Sequence, residues 1–494
     1  IYDSWHHRIE KKCAKLLRER FEAPLDEEHL IKALCRVGDR VRDAKAEGAG
    51  LRELVEKALE SWAGGKADLT GNQLAGAVNS LMSQVSLLTG LPGTGKTTTL
   101  RAVVSVLRDM EIPFLLAAPT GIAAKRMSSV TGAEASTVHR AFGAKGFTKD
   151  NEEREATYVG IVGKSSKKST GSNEGEDWGF GPGNPHPAQV VVVDESSMLD
   201  LHMLYRLLSA TSPTCRIVFV GDPYQLPSVG AGDVLRDLVS SAEFPHTHLT
   251  DIFRQEETSG IVIAAHKIHA GKSPESDGKD FIVYHAPKED KAAEVIVEMA
   301  KKLYEKRYNF QVLSPRHAGD AGVTALNQRL RIALNPSLPG VHELKVGKSV
   351  IREDDRIQIV KNDYTLGVYN GDVGKVSKID RRSKEVEVKI FEGEGESDKM
   401  IRIPFKEVSQ KLRLAYAQTI HKSQGQEYDY IVVALLSSFG RQLQRNLLYT
   451  AITRAKKKVF VIGSQTAVSK AVLNNEAQTR NTLLVQRVQG GGPE

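Results

Sequence analysis

Cysteine is scarce in this chain of 494 residues, with three in all: Cys13, Cys35 and Cys215. They lie far apart, are odd in number and form no CxxC pair. They therefore spell out neither a disulfide framework nor a zinc site, a pattern that fits a reducing compartment. Aromatic residues make up only 6% of the chain, and no apolar run approaches the roughly 18 residues a bilayer-spanning helix needs. The composition also has no collagen-like or low-complexity bias across the whole chain. With 40% hydrophobic and 26% charged residues it excludes global disorder. The first residue is Ile1, so a targeting segment upstream of it stays open.

What is present is a modest basic surplus and enough length for two to four domains. Lys and Arg number 68 against 61 Asp and Glu, a net charge of +7. A surplus of this sign suits a polyanion, through counterion release at phosphates. A merely basic protein is the other reading of the same number.

Residues 1–68 read as an N-terminal helical region, with Leu16, Leu17 and Phe21, then Leu51, Leu54, Val55 and Leu59, at helical spacing. Over 69–250 short apolar runs alternate with helical stretches: Val85 to Leu88, Pro113 to Ala117, Val190 to Val193 and Ile217 to Val220. Such runs read as strands buried on both faces, hence a parallel sheet with helical crossovers. The stretch 145–188 is rich in Gly, Ser, Lys and Glu and reads as an excursion from that sheet. A second α/β region is expected over 251–344, with Gln311 to Leu313 as a strand, and again over 411–488, with Tyr430 to Ala434 and Val459 to Ile462. Between them, 345–410 shows short alternating strands at Ile357 to Val360, Gly374 to Val376 and Val386 to Ile390, with a turn signal at Asn370-Gly371-Asp372. That pattern predicts a small inserted β barrel. Residues 489–494 are Gly-rich and read as a flexible tail.

The chemistry begins at Gly90-Leu91-Pro92-Gly93-Thr94-Gly95-Lys96-Thr97, which follows an expected strand and opens an expected helix. Glycines let backbone N–H groups wrap phosphates, Lys96 reaches the β and γ phosphates, and the Thr97 hydroxyl is a ligand for Mg²⁺. Gly90, Pro92, Gly93, Thr94, Gly95, Lys96, Thr97 and Thr98 are the candidate nucleotide-binding residues. Asp194-Glu195 closes the Val190 to Val193 strand. There Asp194 is a candidate Mg²⁺ ligand and Glu195 a candidate base that deprotonates water. Together these elements predict a Mg-ATPase. Gln225, in Gly221-Asp222-Pro223-Tyr224-Gln225-Leu226-Pro227, is suited to sense the γ-phosphate. Arg254 and Arg454 are candidates to stabilise phosphoryl transfer from a neighbouring domain.

Several motifs in order resemble those of superfamily 1 helicases. They are the phosphate loop, Ala118 to Gly121, Ser136 to Arg140, Asp194 to Met198, Gly221 to Gly230, Ile252 to Gln255, Thr419 to Gly425 and Tyr449 to Arg454. The wording is closest to RecD-type helicases, including the stand-alone RecD-like enzymes, over about 70–485. The resemblance implies two RecA-like domains with ATP between them, single-stranded DNA across their tops, movement from 5′ to 3′, and an SH3-like barrel over 345–410. It implies that Gln73 contacts adenine, and that Arg254 and Arg454 are arginine fingers. It places Pro119, Thr120, His139, Thr419, His421 and Lys422 near DNA. Phe142 and Tyr364 are candidate stacking platforms that read equally well as core.

Two departures stand out. The segment 145–188 occupies the place of the family's strand-separating pin without showing a clean hairpin, with Thr157 to Val162 as one candidate strand. The N-terminal extension is shorter than in stand-alone members. The expected partners are single-stranded DNA, single-strand/duplex junctions and proteins of a repair complex, with no membrane and a monomeric chain. The expected location is the cytoplasm and nucleoid of a bacterium, with an organelle or nucleus left open. No second carboxylate cluster suggests a nuclease. A non-translocating ATP-dependent DNA clamp and an RNA helicase remain the alternatives.

Overall fold

The computed structural model describes residues 4–63, 69–143, 179–251, 259–347, 349–363, 365–392, 397–475 and 480–491. Arg254, Tyr364, the segment Thr157 to Val162 and most of the 145–188 excursion lie outside the described residues. The chain divides into two compact units. One comprises Ile1–Pro223, Pro227–Arg254 and Arg480–Glu494, the other Tyr224–Leu226 and Gln255–Thr479.

The first unit is built on six parallel strands: β1 (Val85–Gly90), β2 (Phe114–Ala118), β3 (Ala135–Thr137), β4 (Val190–Val193), β5 (Arg216–Gly221) and β6 (His246–Leu249). Their order is β3-β2-β4-β5-β1-β6. Side chains alternate between the two faces, as a period of two requires. Leu88, Val190, Val192, Val218 and Val220 enter one core. Leu87, Val191, Val193, Ile217 and Phe219 enter another.

The N-terminal helices divide between these two faces instead of forming a bundle of their own. Leu30, Leu34, Val41, Leu54 and Leu59, from α2 (Glu27–Leu34), α3 (Asp39–Ala46) and α4 (Leu51–Ala63), pack into the first core. Ile9, Cys13 and Leu17 of α1 (Ser4–Glu22) pack into the second. Arg20 of α1 is fully buried. Its guanidinium donates to the carbonyls of Cys215 at 2.6 Å and Ser212 at 2.8 Å, and to Thr211 Oγ1 at 3.0 Å. Those oxygens offset the cost of burying a cation at both terminal nitrogens, while Nε has no partner among the described residues.

The second unit has a five-stranded parallel sheet. Its strands are β7 (Phe281–His285), β8 (Phe310–Ser314), β16 (Ala417–Thr419), β17 (Tyr428–Leu435) and β18 (Ala455–Gly463), in the order β16-β8-β17-β18-β7. Between the helix Val323–Leu334 and β16 lies the antiparallel insertion. A hairpin, β9 (Glu343–Val346) and β10 (Ser349–Arg352), precedes five strands: β11 (Arg356–Ile359), β12 (Val373–Asp380), β13 (Glu385–Ile390), β14 (Lys399–Pro404) and β15 (Leu412–Leu414). Ile357, Val376, Val386, Val388 and Ile403 fill its core. The fold class is therefore the expected one: two α/β units on parallel sheets, a small β insertion and a helical N-terminus.

Two expected boundaries change. The insertion does not end at 410, because β15 pairs with β11 and completes its sheet. Residues 480–491 do not belong to the second α/β region but to the first unit. Arg480 donates to the carbonyls of Ser228 and Gly232 at 2.6 Å and Gly230 at 2.7 Å, and Leu484 and Val488 enter the core beside α1. The start of the expected tail is also docked, since Gln489 Nε2 donates to Ser241 O at 2.9 Å. Among the described residues no helix is long and apolar enough to cross a membrane.

Candidate functional site

The phosphate loop joins β1 to the helix Lys96–Asp109, so its backbone amides gather at the carboxyl end of a buried parallel strand. Gly93 and Gly95 both have φ of +87°, a conformation that side chains strongly disfavour. Thr94 is buried, and its hydroxyl donates to Leu91 O at 2.8 Å, which pins the loop from inside. Pro92, Thr97 and Thr98 are half-buried. Lys96 Nζ donates to Gly90 O at 2.6 Å and Leu91 O at 3.0 Å, folding back on its own loop.

Three carboxylates lie within electrostatic range of that ammonium. Burial lowers the Lys96 pKa, and Asp222, Glu195 and Asp194 oppose the shift, while Arg126 adds to it. The geometry follows from the sheet order. β1 and β4 both flank β5, so the ends of these strands bring Lys96, Asp194-Glu195 and Asp222 together. Asp194 is pushed up to about 6, first by burial and then by Glu195 beside it. Its Oδ1 accepts the Glu195 N–H at 2.8 Å. Glu195 itself has φ of +51°, strained for a residue other than glycine. Hard oxygen donors of this kind, a threonine hydroxyl and a desolvated carboxylate, match the preference of Mg²⁺.

Asp222 and Arg126 were missing from the sequence-derived set. Asp222 carries the same signal as Asp194, an acid directly after a buried apolar strand. Arg126 lies within the helix Gly121–Thr131 and carries no signal of its own.

Gln73 is buried in the first turn of the helix Gly71–Met82. Its Oε1 accepts the Thr70 N–H at 3.1 Å, and its own N–H donates to Thr70 Oγ1 at 3.4 Å. The reciprocal pair is a capping box, a structural duty additional to the expected adenine contact.

The other candidates also sit beyond the carboxyl ends of parallel strands, where open α/β sheets receive ligands. Pro119 and Thr120 follow β2, and the Thr120 hydroxyl caps the next helix by accepting from Ala123 N at 3.3 Å. His139, half-buried, follows β3. In the second unit Thr419 ends β16, and its Oγ1 accepts the Lys422 N–H at 3.4 Å. His421 is exposed and Lys422 half-buried. Burial and the nearby Arg413 lower the Lys422 pKa. Phe142, by contrast, is fully buried in the core and offers no stacking face.

Gln225 and Arg454 both belong to the second unit. Gln225 is buried. Its neighbour Leu226 is held at both backbone atoms, donating to Thr450 Oγ1 at 2.8 Å and accepting from Gln424 Nε2 at 2.9 Å. Arg454 is buried, with Nε donating to Thr450 O at 3.2 Å and Nη1 to Gln426 O at 3.4 Å. Among the described residues its bonded acceptors are carbonyls and a hydroxyl, with no carboxylate.

Family models match three segments: an AAA domain over residues 68–284, an ATP-dependent RecD-like DNA helicase SH3 domain over 326–390, and a UvrD-like helicase C-terminal domain over 414–462. The chain is 31% identical to the ATP-dependent RecD2 DNA helicase of Deinococcus radiodurans, over 97% of this chain and 57% of that protein. It thus spans little more than half of that relative. It is 30% identical to the RecBCD enzyme subunit RecD of Mycolicibacterium smegmatis, over 85% of this chain and 75% of the relative. Among solved structures, the Pif1 helicase from Candida albicans shares the fold with a TM-score of 0.50 and 19% identity, over 81% of this chain and 96% of that one. The ordered motifs, the SH3-like insertion and a RecD relative matched over three quarters of its length give one conclusion: the chain belongs to the RecD-like family of helicases.

Proposed function

We propose that this chain is an ATP-driven DNA helicase that translocates 5′ to 3′ on single-stranded DNA and acts at single-strand/duplex junctions in repair or recombination. The observation that carries the reading is the convergence of Lys96 with Asp194, Glu195 and Asp222 at the ends of adjacent parallel strands. Lys96 leaves its loop carbonyls for the β and γ phosphates of ATP. Thr97 and Asp194 would hold Mg²⁺, which would supply positive charge against the phosphates. Glu195 takes the proton of the attacking water. Gln225 senses the γ-phosphate, and Arg254 and Arg454 supply positive charge to the transferring phosphoryl group. Pro119, Thr120, His139, Thr419, His421 and Lys422 contact the strand, with phosphate contacts setting position instead of sequence. Proteins of a repair complex are its further partners.

ATP turnover measured alone, with single-stranded DNA and with RNA of the same sequence tests this. Strong stimulation by DNA and little by RNA is expected. Equal or greater stimulation by RNA would move the reading to an RNA motor, and no stimulation by either would leave a clamp.

A further inference from the structure

Gln426 directly follows the segment that carries Thr419, His421 and Lys422, and it has no role so far. Its side chain is buried with both ends of the amide engaged. Nε2 donates to Gly371 O at 3.0 Å, and Oε1 accepts from the Tyr428 hydroxyl at 2.5 Å. Gly371 belongs to the SH3-like insertion, in the turn between β11 and β12, and its φ of +105° is one that glycine tolerates. The same carbonyl accepts from Gln358 Nε2 of β11 at 3.2 Å. On its backbone side, Gln426 O accepts from Arg454 Nη1 at 3.4 Å. A single residue therefore touches the insertion through its side chain and the Arg454 guanidinium through its carbonyl. A buried amide satisfied at both ends has little freedom to rotate, so displacement of the Gly371 turn is passed to the Gln426 backbone.

We infer that Gln426 is a positioning residue that ties the Arg454 guanidinium to the SH3-like insertion, so that DNA on the adjoining Thr419 to Lys422 segment stimulates ATP hydrolysis only while that tie holds. The inference rests on the roles given to Arg454 and to Thr419, His421 and Lys422 above. It predicts that breaking the link uncouples DNA from turnover without removing turnover itself.

The experiment compares Gln426→Met with Gln358→Met in the full chain, measuring kcat and KM for ATP with and without single-stranded DNA. Gln426→Met keeps the length but removes the donor to Gly371. Gln358→Met removes the other donor to the same carbonyl and leaves the Arg454 segment untouched. Gln426→Met is expected to lower the DNA-stimulated kcat about tenfold, the scale of one buried hydrogen bond. The DNA-free rate and the KM for ATP stay within about twofold. Gln358→Met keeps at least about half of the stimulation. If Gln426→Met does not fold, Gln426→Asn, polar but one methylene too short to reach Gly371, is read in its place with the same expectation. Equal losses in the DNA-free and stimulated rates would assign Gln426 to packing alone and overturn the inference. Undiminished stimulation in Gln426→Met would overturn it as well, with the helicase reading intact. A parent chain without DNA stimulation would remove the helicase reading and the inference together.

Discussion

Lys96 and Arg454 present opposite electrostatic situations. Lys96 is held on its own loop by two carbonyls, within electrostatic range of three carboxylates. Arg454 is buried among carbonyl and hydroxyl acceptors, which satisfy its hydrogens without cancelling its charge. The first arrangement suits a group that exchanges one set of partners for phosphates, the second a cation kept ready for an anion. Lys96→Ala is therefore expected to abolish ATP turnover while DNA binding, read by fluorescence anisotropy, persists. Normal turnover in that variant would remove Lys96 from the site. Arg454→Ala is expected to slow turnover by about 10³-fold with nucleotide affinity changed only a few-fold, as read by single-turnover hydrolysis beside nucleotide titration. An unchanged rate would take Arg454 out of the finger role. At this scale most of the candidate nucleotide site could be nominated from the chain, because glycines, a lysine and strand-terminal acids at fixed spacing have few other uses. Asp222 carries the same signal, an acid directly after a buried strand. Arg126 was not legible, since one arginine on a helix says nothing until the strands that face it are known.

Among the elements, the return of residues 480–491 to the first unit has the largest consequence. Arg480 fastens the loop Ser228 to Gly232, and the Thr482 hydroxyl donates to Asp237 Oδ2 at 2.9 Å. Burial pushes the Asp237 carboxyl up to about 7. A carboxyl raised in the folded state keeps a proton that the unfolded chain has lost. Its contribution is therefore full below the unfolded value of about 4 and fades as pH rises to about 7. Asp237→Asn should accordingly raise the Tm more at pH 8 than at pH 5, measured by calorimetry at both. A larger gain at pH 5 would contradict the assignment. Arg20 offers a second check. Arg20→Ala leaves several buried carbonyls without their donor and should lower unfolding stability by about 2–4 kcal/mol in a urea titration, with the nucleotide site intact. The strands that were legible were the apolar runs, such as Val190 to Val193, because a parallel strand covered on both faces has to be apolar throughout. β6, His246-Thr247-His248-Leu249, was not legible. It lies at the sheet edge, where its alternate positions bear histidines, and Thr89 Oγ1 contacts His246 at 2.7 Å and His248 at 2.9 Å. Segment 480–491 offered only Leu483, Leu484, Val485 and Val488, too short a pattern to tell which unit it joins.

For the molecule as a whole, the phosphate loop, Pro119, Thr120, His139 and Asp194-Glu195 of the first unit and Thr419, His421 and Lys422 of the second lie beyond the carboxyl ends of parallel strands, and the second unit carries an antiparallel insertion tied to it by hydrogen bonds. Arg356 of the insertion donates to Phe310 O at 3.0 Å, and Gln311 of β8 donates to Ala415 O at 3.2 Å. This division into two sheets plus a small β insertion was readable from the change between apolar runs and alternating strands. The boundaries were less so, because β15 and β16 are three residues each and nearly continuous. The central claim, a motor with one direction, is tested most directly by unwinding three duplexes in the presence of ATP: one with a 5′ single-stranded tail, one with a 3′ tail and one blunt. The account predicts that only the 5′-tailed duplex is separated. Separation of the 3′-tailed duplex instead, or of none despite DNA-stimulated ATP turnover, would contradict it.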